Sequence, residues 1–539
     1  MPNLPIRDLG ALGVITDVEP FNLPFNAFTR AKNVRFINKS IEHAPIFREV
    51  HDLGPTDVPS FVYGLFTQDG YDTTLVVTDA FKVLEVANSA YVEVYNDNAL
   101  TANQRPYTGC SLANVEYINR TDTTPIYRGP TDPTFSPLPN FVPNSTCISL
   151  RSYGDFLIAL NMNEGGVEYP TRLRFSDLVL ANQIPSTWDA SDLTNSAGFN
   201  DLVQMETPIV DGLSLGTNFF IYSSDQVWQM EFVGGAFIFN FRKSFDNTGC
   251  INTNCVVELD NKHYVFDNDD IYMHDGISKQ SICDKRVRNY IFSGIDRSKV
   301  DKCYVQLNTT LEEIYFCYHS GDDLAVYTDA THCNRAAVYN YRSDTWSFMD
   351  MPNTVSGASS NVNSVETYDT IAQSYGNVGG NYHEQESQYT IYSLVVSRAY
   401  TGDYETISTN RLLGIDLTDR GYLTKPSVPE LKFDAVIERV GIDLDEAQIP
   451  LSGYKVINRI YPQVSTVNSE PFIDFQFGAS KYATEVPVYD QKVTFNMVDD
   501  YKVDSRMSGR YLSYRVTLPT PKDFSLSGFD LDLQIVGRR

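Results

Sequence analysis

The chain has 539 residues, of which 42% are hydrophobic and 13% aromatic, and its formal net charge is −26. It is long enough for several domains or one large repetitive architecture, because single hydrophobic cores stop growing at roughly 250–300 residues. The excess of 68 Asp and Glu over 42 Lys and Arg disfavours tight electrostatic adhesion to nucleic acid or anionic lipid. Any contact with DNA would have to be non-adhesive.

The first 20 residues, MPNLPIRDLGALGVITDVEP, contain no apolar core of signal-peptide length. No segment approaches the roughly 18 uninterrupted apolar residues of a membrane helix. We therefore expect a protein without a membrane segment, made and kept soluble in the cytosol of its producer. Its eight cysteines should start as thiols there.

Residues 1–60 mix proline, asparagine and charge, which predicts an N-terminal arm with the first strands. The stretch 5–24 has an extended character and too little alternation to form a hairpin alone. We expect it to lie against the rest of the subunit or a neighbouring subunit. A buried edge strand of the same subunit is the alternative.

Residues 61–352 alternate between apolar and polar side chains, with β-branched and aromatic residues separated by short polar turns. Helical periodicity is scarce, so the sequence predicts an all-β protein. Hairpins recur roughly every 40 to 50 residues, the spacing of propeller blades, and VYNYRSDTWSF at 338–348 resembles the kelch pattern. These features favour a β-propeller core over a plain β-sandwich, whose meanders give similar hairpin spacing.

Two further regions complete the predicted layout. Residues 353–425 are rich in Ser, Asn, Gly and Gln, which predicts a polar insertion, either a loop or a segment ordered only by a partner. Residues 426–539 resume the β alternation and are expected to complete or flank the propeller. The four predicted regions are therefore 1–60, 61–352, 353–425 and 426–539.

The sequence offers no convincing catalytic or cofactor motif. GLSLG at 212–216 matches the G-x-S-x-G nucleophile elbow, but a strand rather than a helix follows it, so a β-turn is favoured. The acidic run DNDD at 267–270 fails the EF-hand pattern at Ile271, and a hairpin turn is the favoured interpretation. We predict no enzyme activity, no cofactor and no metal site.

Six of the cysteines fall between Cys250 and Cys333 without zinc-type spacing, so buried thiols are the default. If CYVQLNTTLEEIYFC forms a hairpin with its tip near Thr310, Cys303 and Cys317 face each other and could crosslink. His263 and His274 are expected on paired strands, as packed surface residues rather than bases.

Four separated stretches resemble one family. GALGVITDVEPFNLPFNAFTRAKNVRF at 10–36 is similar to the N-terminal signature of tail nozzle proteins, also called tail tubular protein B, of short-tailed bacteriophages (podoviruses). The middle stretches WQMEFVGGAFIFNFRKSFDNTGC at 228–250 and HYVFDNDDIYMHDG at 263–276 also look like that family. So does SGRYLSYRVTLPTPKDFSLSGFDLDLQIVGRR at 508–539.

The resemblance implies a structural virion protein, made in the bacterial host cytoplasm and assembled into the phage tail. It implies a β-propeller subunit in a homohexameric ring below the portal and a tail adaptor ring similar to tail tubular protein A. Such a ring forms the distal channel that retains packaged DNA and conducts it during genome ejection. Tail fibres or a plug or needle protein are further expected partners, and the insertion 353–425 is a candidate tip or gate.

A channel that lets a whole genome slide should offer few cationic contacts to its phosphates. We therefore expect acidic lumen-facing loops, with Asp267, Asp269, Asp270, Asp499 and Asp500 as candidates. The alternative interpretation of these acidic residues is that their charge only keeps a large assembly soluble. The alternative function is a glycan-binding or glycan-cleaving propeller or tailspike, which would carry paired carboxylates in a cleft.

Overall fold

The structure is a computed structural model of the 539-residue chain. It describes residues 3–66, 72–87, 90–97, 100, 102, 106–192, 194–235, 237–322, 330–360, 392–401, 406–407, 409–416, 434–444, 447, 449, 453–466, 472–518 and 524–536. The described part consists of strands with very little helix, so the predicted all-β class is confirmed.

The N-terminal segment contributes seven strands and one 3-10 helix, Pro20–Asn22. The strands are β1 (Asn3–Ile6), β2 (Gly13–Val14), β3 (Ala27–Phe28), β4 (Arg30–Lys32), β5 (Val34–Ile37), β6 (Ser40–His43) and β7 (Ile46–Gly54). Among them, β2 and β3 pair in parallel and β5 and β6 form a hairpin.

Five four-stranded antiparallel sheets follow, each made of four strands consecutive in the chain. Sheet 1 is β8 (Pro59–Phe66), β9 (Asp72–Thr78), β10 (Lys82–Ala87) and β11 (Ala90–Asn96). Sheet 2 is β12 (Tyr107–Leu112), β13 (Val115–Arg120), β14 (Ile126–Arg128) and β15 (Ser136–Pro137). Sheet 3 is β16 (Ser145–Tyr153), β17 (Phe156–Glu164), β18 (Val167–Phe175) and β19 (Gly198–Asp201). Sheet 4 is β20 (Ile209–Leu215), β21 (Asn218–Ser223), β22 (Gln226–Phe232) and β23 (Phe239–Asp246). Sheet 5 is β24 (Val256–Leu259), β25 (Lys262–Phe266), β26 (Ile271–His274) and β27 (Lys279–Ser281).

Tight turns explain why these strands fold back locally. Ala113 and Asn114 between β12 and β13, and Asp260 and Asn261 between β24 and β25, all have positive φ angles of 50° to 66°. Two central residues of positive φ define the type I′ turn, whose twist matches that of the flanking strands. Asn and Asp tolerate this left-handed conformation better than other non-glycine residues do, so the local sequence sets these registers.

A sixth meander follows one short helix, α1 (Arg288–Gly294), and a 3-10 segment, Arg297–Lys302. Its strands are β28 (Tyr304–Asn308), β29 (Glu313–Tyr318), β30 (Cys333–Asn340) and β31 (Thr345–Ser360). β31 is long enough to leave the meander, and its second half pairs with β32 (Tyr392–Ser397). β33 (Tyr400–Thr401) pairs with β34 (Thr406–Ile407), and β35 (Asn410–Asp416) lies between β32 and β7.

The stretch 353–425, predicted as a polar insertion, is therefore not a loop throughout. Its first eight residues belong to β31, and β32 to β35 also fall within it. Residues 361–391 and 417–425 of the predicted insertion lie outside the described residues, so the interpretation of this segment as a tip or gate stays a prediction.

The C-terminal strands pair with the N-terminal ones. They are β36 (Ala435–Ile442), β37 (Lys455–Thr466), β38 (Phe472–Ser480), β39 (Val488–Tyr489), β40 (Val493–Asn496), β41 (Val503–Gly509), β42 (Tyr511–Leu518) and β43 (Phe524–Ile535). β1 and β6 both pair with β43, while β4 lies between β31 and β36. Strands β1 and β4 to β7 thus pair within the sheets of the same chain. Within the stretch 5–24 only residues 5–6 and 13–14 are in strands, so the alternative of a buried edge strand in the same subunit is matched only in part, and an interface with a neighbouring subunit stays a prediction.

Hydrophobic clusters join each sheet to the next in chain order. One cluster joins sheets 1 and 2, another joins sheets 2 and 3, and a third joins sheets 3 and 4. The largest cluster continues through sheets 4 and 5, the sixth meander and the terminal strands. A further cluster packs Val62 and Val76 of sheet 1 against Leu394 and Leu412 of β32 and β35.

Candidate functional site

The first strands of successive sheets converge. β8 contacts β12, β12 contacts β16, β16 contacts β20, β20 contacts β24 and β24 contacts β28, while β31 contacts both β28 and β8. Between these strands lies a cavity of about 210 Å³, here called the axial cavity. Each of the six first strands contributes to its lining, through Tyr63, Gly109, Arg151, Asp211, Val256 and Val305 among others.

An ion pair between Arg151 and Asp211 crosses from sheet 3 to sheet 4 in this cavity. Arg151 Nε donates to Asp211 Oδ1 at 2.9 Å and Nη2 donates to Oδ2 at 2.7 Å. The Asp211 side chain is only 4% exposed. Burial alone would raise the pKa of Asp211, but the charge and hydrogen bonds of Arg151 outweigh it and hold this pKa below its usual value.

Asn254, just before β24, extends this network to sheets 2 and 5. Its backbone N–H donates to Asp211 Oδ2 at 2.8 Å, and its Oδ1 accepts from Arg151 Nη2 at 2.8 Å. Its Nδ2 donates to the carbonyl oxygen of Tyr107 in sheet 2 at 2.9 Å. Ser149 Oγ donates to Asp211 Oδ1 at 2.7 Å. One charge-assisted network therefore ties four sheets together at their inner strands.

Gln306 performs a similar role where β28 meets β31 and β32. Its Nε2 donates to the carbonyl oxygen of Leu394 at 3.1 Å and to Ser393 Oγ. A Cβ atom on Gly357 would lie 2.0 Å from Gln306 Oε1, so position 357 has room only for glycine while Gln306 keeps this conformation. Gly357 itself lines the axial cavity, so this close approach of backbone and amide lies beside it.

A second, smaller cavity of about 80 Å³ adjoins the axial cavity and is here called the axial mouth. Phe61, Asn254, Tyr304 and Ser356 line both cavities. Charged and polar side chains of the axial mouth include Ser60, Asn252, Asp301, Lys302, His332 and Arg398.

The two histidines predicted on paired strands are directly opposite each other, since His263 pairs with His274 in the β25–β26 ladder. Tyr222 Oη lies between them, 2.6 Å from His263 Nδ1 and 2.7 Å from His274 Nε2. His263 Nε2 lies 2.9 Å from the carbonyl oxygen of Ser214, and the Gly276 N–H donates to His274 Nδ1 at 3.1 Å.

These contacts assign both tautomers. His274 accepts at Nδ1 and donates from Nε2 to Tyr222, whose hydroxyl donates to His263 Nδ1, and His263 donates from Nε2 to Ser214. Burial lowers the pKa of His263 to about 4 and that of His274 to about 3. The chain of hydrogen bonds is complete with both rings neutral. The histidines are packed, but the predicted surface position is wrong, because both side chains are buried in the core.

Ser214 of the GLSLG stretch lies inside strand β20, and a turn at Gly216, with φ of 58°, leads into strand β21. Its hydroxyl donates to the carbonyl oxygen of Ser152 at 3.0 Å. The strand-to-helix elbow that would expose a nucleophile is not formed here. The predicted β-turn is thus found two residues later than the serine.

Two carboxylates do come together, at Glu85 and Glu116, but Arg128 lies between them. Arg128 Nε and Nη2 donate to Glu116 at 2.9 and 3.1 Å, and Nη1 donates to Glu85 at 2.6 Å. Burial raises the pKa of Glu116 to about 7, and Arg128 opposes that rise. The guanidinium pairs with both carboxylates and joins sheets 1 and 2.

The predicted hairpin around Thr310 is confirmed. The predicted pairing of Cys303 with Cys317 across it is wrong by one residue. Tyr304, not Cys303, is opposite Cys317. Because a shift of one residue reverses the face of a strand, Cys303 packs in the largest core cluster and Cys317 in the cluster on the other face. All eight cysteines are buried free thiols.

The five candidate acidic residues lie in two turns. Asp267, Asp269 and Asp270 form the β25–β26 turn, closed by a backbone hydrogen bond from Asp267 N to Asp270 O at 2.9 Å, which confirms the hairpin. Asp267 and Asp270 are buried, while Asp269 is exposed and pairs with Arg288 at 3.3 Å. Asp499 and Asp500 are exposed in the turn after β40. None of the five lines the axial cavity or the axial mouth, and their place in a lumen between subunits stays a prediction.

Within the described ranges, no group of three or more His, Cys, Asp or Glu side chains is arranged to hold a metal ion. No helix in the described part of the chain is long and apolar enough to cross a membrane. The chain matches no protein-family model, and no match is found among curated proteins.

Proposed function

We propose that this chain is a structural protein of a short-tailed bacteriophage virion, a nozzle subunit that retains packaged DNA and conducts it during ejection. The proposal includes a six-bladed β-propeller core, in which sheets 1 to 5 and the meander β28–β31 are the blades. It further includes a homohexameric ring beneath a tail adaptor. The sequence resemblance supplies the class of protein, and the following features of the chain support it.

The main observation in favour of the proposal is that the N-terminal and C-terminal parts of the chain, which carry the resemblance, lie together in the structure. β1, just ahead of the N-terminal stretch, pairs with β43 of the C-terminal stretch along Asn3–Ile6 and Phe529–Asp532. β4 lies inside the N-terminal stretch and is joined through β36 to β42 of the C-terminal one. Stretches separated by about 500 positions therefore form one structural unit, as expected if both belong to a single family signature.

The order in which successive sheets contact one another supports the propeller part of the proposal. Each sheet is an antiparallel meander, its first strand lies at the shared cavity, and each sheet packs on the next through a hydrophobic cluster. The contact of β31 with β8 links the sixth meander back to sheet 1. Radial repetition of four-stranded sheets around a central axis is the propeller arrangement.

The axial cavity is too small to carry DNA. It measures about 210 Å³, and the Arg151–Asp211 pair spans it, whereas the major groove of duplex DNA alone is about 12 Å wide. A DNA conduit therefore has to lie between several copies of the chain rather than through one. Head-to-tail contacts that close by rotation generate such a ring, and −26 charges per copy would disfavour adhesion of the DNA backbone.

Electron microscopy of the purified full-length chain, alone and mixed with the adaptor protein of the same phage, tests this proposal. We expect ring-shaped particles with a central opening wide enough for duplex DNA, and six copies per ring. Strictly monomeric particles under both conditions would overturn the proposal. Cleavage of host surface glycans by such monomers would instead favour the glycan-cleaving alternative.

A further inference from the structure

Arg398 is a buried cation without a direct carboxylate partner. Only 8% of the residue is exposed, yet no described Asp or Glu lies within salt-bridge distance of its guanidinium. Nε donates to the carbonyl oxygen of Pro59 at 2.9 Å and Nη2 donates to Ser60 Oγ at 2.8 Å. Nη1 makes no hydrogen bond to the part of the chain that the structure describes, and Arg398 lines the axial mouth.

This arrangement differs from that of three other shielded arginines, Arg35, Arg128 and Arg151. Arg35 and Arg128 each have a carboxylate oxygen within 2.9 Å, as Arg151 has in Asp211. At Arg398, burial, only partly offset by the more distant charge of Asp79, lowers the pKa of the guanidinium below its usual value. A charge removed from water requires a counter-charge, and here the protein supplies none in direct contact.

Two further groups of the axial mouth can donate hydrogen bonds. Lys302 is 18% exposed and its Nζ lies 2.7 Å from Asp301 Oδ2 at the rim. His332 is 2% exposed, and its Nδ1 lies 2.8 Å from the hydroxyl of Thr331. In the tautomer whose Nδ1 accepts from Thr331, the ring proton is on Nε2, which has no partner among the described residues. Burial, and then the positive charge of Arg398, lower the pKa of His332 to about 2.

We propose that the axial mouth binds one free tetrahedral oxyanion, phosphate or sulfate, with Arg398 Nη1 as its main anchor and Lys302 and His332 as additional donors. Guanidinium and ammonium groups form strong charge-assisted hydrogen bonds with such oxygens. The volume of about 80 Å³ is several times the roughly 10–15 Å³ that one water needs. It excludes a polynucleotide chain, so the ligand is a free ion and not the DNA backbone.

The site is predicted to strengthen the ring of sheets. The axial mouth is lined by Ser60 of sheet 1, Tyr107 of sheet 2, Asn252 ahead of sheet 5 and Tyr304 of the sixth meander. A bound anion would neutralise Arg398 where β31, β32 and sheet 1 meet. This role is independent of whether the chain forms a tail nozzle.

Isothermal titration calorimetry of the full-length chain with inorganic phosphate, at fixed ionic strength set with chloride, tests the site. We expect one saturable site per chain, competed by sulfate. Arg398→Gln should weaken binding by about tenfold or more, because it removes the anchoring charge. Asp301→Asn should strengthen binding several-fold, roughly as expected for removing one nearby like charge. Arg342→Gln, which removes an exposed cation that lines neither cavity, is the matched control and should leave the affinity unchanged.

The two cavity variants have opposite expected signs, so the test does not depend on one of them folding. Asp301 is 59% exposed, and its replacement should leave the fold intact by circular dichroism. Absence of saturable heat in the wild-type chain would mean that the cavity holds only water and would overturn the proposal. Equal affinities for wild type and Asp301→Asn, or weaker binding by Asp301→Asn, would also overturn it.

Discussion

Arg151 on β16 and Asp211 on β20 form a two-pronged ion pair with N–O distances of 2.9 and 2.7 Å, at the convergence of the inner strands. Both carboxylate oxygens accept further hydrogen bonds, Oδ1 from Ser149 and Gly212 and Oδ2 from Asn254. The pair is therefore the centre of the polar network that joins sheets 2 to 5.

Removing one partner of this pair should destabilise the protein strongly. Arg151→Met leaves a buried carboxylate without its guanidinium, which costs roughly 3–5 kcal/mol in comparable cases. The free energy of unfolding from urea titration measures the effect. Arg459→Gln is the control, because Arg459 and Asp504 form an exposed pair, 47% and 64% exposed, and such pairs contribute about 0–1 kcal/mol. Equal losses for the two variants would contradict the structural role of Arg151.

Gly357→Ala should destabilise the junction of β28, β31 and β32. Its new Cβ would meet Gln306 Oε1 at 2.0 Å and Cδ at 2.5 Å. Gln306 is buried and held by Leu394 and Ser393, so it can move aside only by giving up hydrogen bonds, and we expect a loss of about 1–3 kcal/mol. Gly321→Ala is the matched control, since no atom of the described residues lies within 4 Å of its added Cβ. The midpoints of urea unfolding compare the two.

The Tyr222–His263–His274 chain predicts a loss of stability in weak acid. In the unfolded chain both histidines titrate near pH 6.5, roughly the ordinary value, while in the folded chain their pKa values are about 4 and about 3. Between about pH 4 and 6.5 the unfolded state thus binds more protons than the folded state. The contribution of the two neutral histidines to the free energy of unfolding is therefore fully present above about pH 7 and is lost as the pH drops through 6.5 towards 4.

Urea unfolding at a series of pH values from 7.5 to about 4 checks this dependence. The double variant His263→Gln/His274→Gln should show a shallower decline of unfolding free energy with falling pH. It should not become flat, because burial also lowers the pKa values of His319 and His332. An unchanged slope in the double variant would show that the pair does not carry the predicted proton uptake.

Local pattern was sufficient to predict the hairpins and the all-β class. The alternation around His263 and His274 identified both strands and their pairing, and the structure adds that the two residues are directly opposite each other. The Cys303–Cys317 hairpin was also found, but its register was wrong by one residue, because the turn at residues 309–312 is not a simple two-residue type. Registers are sharply defined by the sequence only where a turn such as Asp260–Asn261 fixes them.

The axial network could not be read from the sequence. Arg151, Asp211 and Asn254 lie in three different sheets and belong to no short motif, and their neighbourhood depends on how sheets pack rather than on local spacing. The same holds for the N-terminal strands, whose partners β36 and β43 are about 400 to 500 residues away. A pattern of alternation shows that a strand exists but does not identify a distant partner.

Thiol titration shows whether all eight cysteines stay free or whether Cys303 and Cys317 form a disulfide. All eight are buried, and burial raises the pKa of Cys317 to about 12, so the native protein should react slowly with a thiol reagent. Denatured protein should release eight thiols, including after exposure to air, because Cys303 and Cys317 lie on opposite faces of their hairpin. A reproducible count of six after oxidation would contradict this assignment.

The acidic turn at Asp499 and Asp500 tests the proposed non-adhesive lumen. Asp500 Oδ2 accepts from Asn496 N at 2.9 Å and Asp499 Oδ2 accepts from Asn496 Nδ2 at 2.7 Å, and asparagine at both positions keeps an acceptor oxygen for the turn. If the turn faces the lumen, Asp499→Asn/Asp500→Asn removes about twelve negative charges from the lumen of a six-fold ring. At low salt the variant ring should then bind duplex DNA more tightly than the wild-type ring. Added salt should weaken this binding. Asp246→Asn/Asp275→Asn is the control, since it removes the same charge from two exposed positions, the end of β23 in sheet 4 and the turn after β26 in sheet 5. Filter binding of duplex DNA to the assembled rings measures the difference, and equal behaviour of the two double variants would refute a lumen position for Asp499 and Asp500.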